Sequence, residues 1–126
     1  MEIEFILYVS DQEKSKAFYS KTLGMEPKLH VPGMTEFLLS KNVKLGLMPE
    51  QGINKILAGK TPHPKEGNGI PRCELYLKVN LINDFTERAL AAGANMINES
   101  APRDWGDTVA YLSDPDGHII AFAQTT

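Results

Sequence analysis

Near the start of the chain, hydrophobic and polar positions alternate. Ile3, Phe5, Leu7 and Val9 fall on one side, and Glu4, Ile6 and Tyr8 on the other. A period of two predicts a strand over 3–9, with one face on a core and a mixed second face. Ser10-Asp11-Gln12-Glu13 follows and reads as a capping box, in which the Ser10 hydroxyl and the Glu13 carboxylate each satisfy a free helix N–H. The helix it opens carries Ala17, Phe18 and Tyr19 and stops at Gly24, a residue suited to the left-handed helix end. Pro27 and Pro32-Gly33 punctuate the way to two further strands, about 35–40 and 43–48, with Lys41-Asn42 as their tight turn.

The same order then recurs. Cys73, Leu75, Leu77 and Val79 form one side of a strand, and Glu74, Tyr76 and Lys78 the other. A helix at about 81–92 ends at Gly93. An extended stretch near 96–99 precedes a hairpin, 108–113 and 118–124, turned by Asp114-Pro115-Asp116-Gly117. Shifted by about 70 positions, Glu4 falls on Glu74, Leu7 on Leu77 and Val9 on Val79. This spacing implies one supersecondary unit used twice, at about 1–49 and 72–126 of a single domain covering 1–126. The stretch between them, about 50–71, holds Gly52, Gly59, Pro62, Pro64, Gly67, Gly69 and Pro71, with a short helical turn expected near 53–57. It reads as a connecting loop able to cover a pocket.

Composition narrows the class without changing this layout. The chain has 126 residues, 42% of them hydrophobic and 23% charged, which suits one folded domain with its own core. Its 13 basic and 16 acidic residues are interspersed and leave a net charge of −3, so neither nucleic acid nor an anionic membrane is an expected partner. Apolar runs such as 5–9 are too short to span a bilayer, and no basic-then-apolar leader opens the sequence. Cys73 has no second cysteine to pair with, and alternation puts it on the core side, opposite Glu74. A cytoplasmic protein is expected.

Two segments carry a family resemblance. Asp11…Ala17-Phe18-Tyr19…Leu23-Gly24 after a strand, and the run from Val109 through Asp114-Pro115-Asp116-Gly117 to Ile120, resemble the glyoxalase/bleomycin-resistance/extradiol-dioxygenase proteins, the vicinal oxygen chelate superfamily. The resemblance implies an α+β fold of two tandem βαβββ units whose curled mixed sheets surround a pocket. It also implies a homodimer, in which each site draws strands from both subunits. Metal-dependent relatives place one ligand on the first and last strand of each unit. Carried over, those points fall on Glu4, Gly46, Glu74 and Ala121, and Gly46 and Ala121 offer no donor atom.

A catalytic divalent ion generally needs three protein ligands and an open position, so no cofactor is expected here. Two carboxylates remain as a weaker alternative, able to hold a hard ion with several waters. His30, His63 and His118 match no metal-ligand spacing. Glu4 and Glu74 are the candidate acid/base residues. If both project into one cavity, each raises the other's pKa; if not, each is simply a polar position on a strand's open face. Period-two counting puts Tyr8, Lys44, Met48, Tyr76 and Lys78 on the same face, where they line a pocket or a dimer seam. Trp105, in Arg103-Asp104-Trp105-Gly106, is a candidate aromatic lid, or else an anchor for its loop. Three readings of function stand together. In the first, a small organic ligand, cationic or polar aromatic, is bound without the usual metal. The second is a lyase, epimerase or dioxygenase of the chelate type using Glu4 and Glu74. The third is an interaction or regulatory module with a vestigial pocket, which the missing ligands alone support.

Overall fold

The computed structural model describes all residues, 1–126. Eight strands and three α-helices follow the order β1 (Ile3–Val9), α1 (Gln12–Leu23), β2 (Leu29–Val31), β3 (Met34–Ser40), β4 (Val43–Pro49), α2 (Glu50–Leu57), β5 (Glu74–Lys78), α3 (Ile82–Ala91), β6 (Asn95–Pro102), β7 (Asp107–Ser113) and β8 (Ile119–Thr125), with a 3-10 turn at Pro64–Gly67. They form two mixed sheets of four strands, ordered β1-β4-β3-β2 and β5-β8-β7-β6. In each, the first strand pairs parallel with the last and the remaining pairs are antiparallel. The two sheets are not hydrogen-bonded to each other, so β1 and β5 each end a sheet and no closed barrel surrounds a pocket.

Helices α1 and α3 pack together, and one core joins both halves. Phe18, Tyr19 and Leu23 of α1 and Ile82 and Ala89 of α3 meet Leu7, Val9, Phe37, Leu45, Leu47, Leu112, Ile120 and Phe122 from the two sheets. The opposite faces carry Glu4, Lys44 and Glu36 on the first sheet and, on the second, Tyr76 and Tyr111 over a small buried cluster of Val109, Ala121 and Ala123. Core alternation along β1 holds only from Leu7 onward, because Ile3 and Phe5 are about half exposed at the open edge of the sheet.

Local chemistry departs from expectation at α1. Asp11, not Ser10, is the N-cap: its φ and ψ are extended and its Oδ1 accepts from the Lys14 N–H at 3.0 Å. Ser10 instead turns to the second half, donating from its N–H and its hydroxyl to Asp116 Oδ1 at 3.1 and 2.6 Å. Glu13 leaves the cap as well and accepts from His30 Nε2 at 2.7 Å. Cys73 is exposed rather than buried, since β5 starts one residue later and the pleat does not extend to it. Gly24 ends α1 with φ +68, as its residue type requires.

Candidate functional site

The open face of the first sheet is built from cross-strand rows. Glu4 lies beside Lys44 and Leu38 in one row, and Ile6, Gly46 and Glu36 form the next. Gly46 is buried and has no side chain, and the Glu4 carboxyl occupies the space. A Cβ at position 46 would stand 2.5 Å from Glu4 Oε2 and 3.0 Å from Ile6 Cγ1. Glu4 Oε2 is therefore buried, yet no donor reaches it. An unpartnered buried oxygen costs free energy, and that cost falls on the charged form.

The acidity of Glu4 follows from this placement. Its pKa is raised from an ordinary 4.5 to about 7, first by burial and then by the Glu36 carboxyl within hydrogen-bonding reach, with the Lys44 ammonium opposing both. Lys44 Nζ lies 3.7 Å from Glu36 Oε1. The acid that faces Glu4 is Glu36, on β3.

Glu74 is placed differently. It is exposed, and the shallow depression it lines with Tyr111 and Ile119 shares no residue with the one that holds Glu4 and Lys44. Within one chain the repeat does not bring the two glutamates into a single site. Ala121, opposite Tyr76 and Tyr111, carries the Cβ that Gly46 lacks. Tyr8 lines a third space, a groove of about 340 Å³ between β1 and the connecting segment, along with Phe5, Ile70 and His118. Met48 is the register partner of Tyr8 on β4. The expected pocket residues therefore lie on two sheets and a groove.

On the second sheet a polar chain runs beneath Trp105. Its indole Nε1 donates to Tyr76 Oη at 2.9 Å, and Tyr76 donates to Asp107 Oδ2 at 2.6 Å. Lys78 Nζ donates to Asp107 Oδ1 at 3.0 Å and to Thr125 Oγ1 at 3.2 Å. The bonds from Tyr76 and Lys78 hold the Asp107 carboxyl below its ordinary pKa, while burial and the Asp107 partner push the Tyr76 phenol up. Trp105 is thus anchored by its N–H even though most of its ring is exposed.

Do these residues fit the metal ion that the resemblance implies? Two of the four expected points lack a donor, and Glu4 and Glu74 line separate depressions. The set does not fit a three-ligand ion. One other acid–histidine group, Asp114, Asp116 and His118, lies close enough together to hold a cation. Its oxygens are already engaged. Asp114 accepts from Tyr19 Oη at 2.7 Å and from the Asp116 and His118 N–H groups, each at 2.9 Å. Asp116 accepts from Ser10 and, at 3.4 Å, from Ser15 Oγ, while His118 Nε2 donates to the Tyr8 carbonyl at 2.9 Å. Burial raises the Asp114 pKa despite His118 and these donors, and the Tyr19 phenol is raised by burial and by Asp114. This is a turn clamped onto the start of α1.

The fold is shared with known proteins. The family model of the Glyoxalase/Bleomycin resistance protein/Dioxygenase superfamily matches residues 3–122. An uncharacterized protein of Mycobacterium bovis is 27% identical over 121 residues, covering 94% of this chain and 79% of that one. The fold resembles that of a glyoxalase-related enzyme from Fulvimarina pelagi, with TM-score 0.82, 22% identity and coverage of 99% of this chain and 88% of that chain. It also resembles a protein of Agrobacterium tumefaciens, with TM-score 0.75, 25% identity and coverage of 98% and 95%. No helix is long and apolar enough to cross a membrane. With a match over nearly its whole length, this chain belongs to the Glyoxalase/Bleomycin resistance protein/Dioxygenase superfamily.

Proposed function

We propose that this chain binds a small organic ligand at the Glu4 slot of the first sheet, with the carboxyl rather than a chelated ion as the polar contact. The observation that carries this reading is Glu4 Oε2, buried without a donor in space left by Gly46. A ligand N–H or O–H would satisfy it once the Glu4 side chain turns into the depression that it lines with Lys44. A cationic amine suits it best, because a charge-assisted bond is stronger and Glu36 places a second carboxyl within reach of Glu4. Binding of a panel of small arylalkylamines such as benzylamine, cationic at neutral pH, tests this by calorimetry. At least one amine should bind, and Glu4→Gln should weaken it by roughly tenfold to a hundredfold. Silence across the panel, or equal affinity in the variant, contradicts the reading.

One observation favours a second reading. A carboxyl that titrates at about 7 can both give and take a proton at neutral pH, as a lyase or epimerase requires. In that case small 2-keto acids should take up deuterium from solvent at the carbon beside the carbonyl, and Glu4→Gln should abolish it. Unchanged uptake in the variant removes Glu4 as the base. Under either reading we propose a homodimer. The unpaired edge strand β1 exposes Phe5, Ile6 and Tyr8, a surface that a second copy would cover. Sedimentation at micromolar concentration should show the dimer, and a strict monomer refutes it.

A further inference from the structure

The depression that Glu4 lines carries charges of both signs, sorted by strand. Glu2 and Glu4 come from the start of β1, and Lys41 and Lys44 from the turn before β4 and from β4 itself. The register sets this arrangement. β1 pairs parallel with β4, so Glu4 lies directly beside Lys44. Glu2 falls just outside the first paired row, Ile3 with Val43, at the end where the Asn42 carbonyl accepts from the Ile3 N–H at 2.8 Å. Neighbouring strands run about 4.8 Å apart, so the acids stand next to the ammonium groups.

Most of these charges do not cancel one another. Glu2 and Lys41 are exposed and enter no ion pair within the chain. Lys44 reaches Glu36 rather than Glu4, at 3.7 Å, and an ammonium keeps further donors for a ligand. Glu4 Oε2 has no donor at all. Leu38 and the half-exposed Ile3 supply the apolar part of the lining. The space measures about 180 Å³, roughly six water molecules' share of liquid volume, so it takes a molecule of up to about ten non-hydrogen atoms.

An amine alone would answer the acids and leave two lysines facing it with like charge. A carboxylate alone would do the reverse. A molecule with both groups on one carbon answers both sets at once, and an aliphatic side chain on that carbon covers Leu38 and Ile3. Resting on the Glu4 reading, we propose that the ligand of this site is a small zwitterion, an aliphatic α-amino acid. Glu4 and Glu2 hold its ammonium, and Lys44 and Lys41 hold its carboxylate.

Leucine and two fragments of it test this. 3-Methylbutylamine is leucine without its carboxylate, and 4-methylpentanoate is leucine without its ammonium. Calorimetry at neutral pH should show leucine binding at least about tenfold tighter than either. Lys41→Ala, at an exposed position, should leave the amine within about twofold and weaken leucine by at least about threefold. In 15N-labelled protein, saturating leucine should move the Lys41 and Asn42 amide resonances. If the amine binds and leucine binds no tighter, the zwitterion is overturned and the Glu4 reading stands. Leucine that binds tighter but ignores Lys41→Ala and leaves the Lys41 amide unmoved overturns it as well. If neither leucine nor any amine binds, the Glu4 reading fails and this inference with it.

Discussion

A side chain at position 46 would collide with Glu4 Oε2, so the absence of one there decides where Glu4 puts its carboxyl. The buried acid then couples folding to pH. Folded Glu4 holds its proton up to about pH 7, and unfolded Glu4 only to about its ordinary 4.5. Between these values the folded chain binds more protons. The contribution of this group is therefore complete below pH 4.5 and is lost as pH rises through 7. Glu4→Gln should remove that decline and be more stable than wild type at pH 8, by on the order of 1 kcal/mol after allowance for solvent screening. Gly46→Ala should flatten the same profile by displacing the carboxyl. Urea unfolding from pH 4 to 9 reads both, and parallel profiles for all three proteins contradict the placement.

At the scale of elements, the turn between β7 and β8 holds the two halves together. Asp114 accepts three bonds within its own turn and from Tyr19, and Asp116 sits at the start of α1, where a negative charge also suits the helix dipole. Gly117 closes the turn at φ +88, and a Cβ there would stand 2.8 Å from the Gly69 Cα of the connecting segment. Gly33 has a similar φ, +97, but open space around it. Both Gly→Ala changes should cost about 1 kcal/mol of backbone strain, with Gly117→Ala losing at least about 1 kcal/mol more through the displaced segment. Equal losses in thermal unfolding would mean that the contact with Gly69 contributes nothing. The turn itself was legible in the sequence from Asp114-Pro115-Asp116-Gly117, but its clamp was not. Ser10 and Asp116 lie 106 positions apart, and local pattern assigns Ser10 to the helix cap instead.

Across the whole molecule, alternation and the repeat made the strand–helix order legible, because both arise from burying one face of each element. The acid pair was hidden by a one-residue irregularity. Ser40 pairs with Val43 at the turn, but a register shift between Leu38 and Ser40 brings Glu36, not Phe37, opposite Gly46. Counting back from Lys41-Asn42 therefore puts the wrong residue beside Glu4. The matched glutamates were visible at once, but their separation was not, since nothing local to Glu74 shows that its sheet stays apart from the first. What the two halves share is a frame; the row that holds Gly46 and Glu36 in the first sheet holds Ala121, Tyr76 and Tyr111 in the second. The most direct test of that account is the titration of the Glu4 carboxyl by 13C NMR, in wild type and Glu36→Gln, with and without Mg²⁺, Mn²⁺ or Zn²⁺. The account predicts a midpoint near 7 in wild type, a lower one in Glu36→Gln, and little change with metal. A midpoint near the ordinary 4.5, or one driven down by stoichiometric metal, would contradict it.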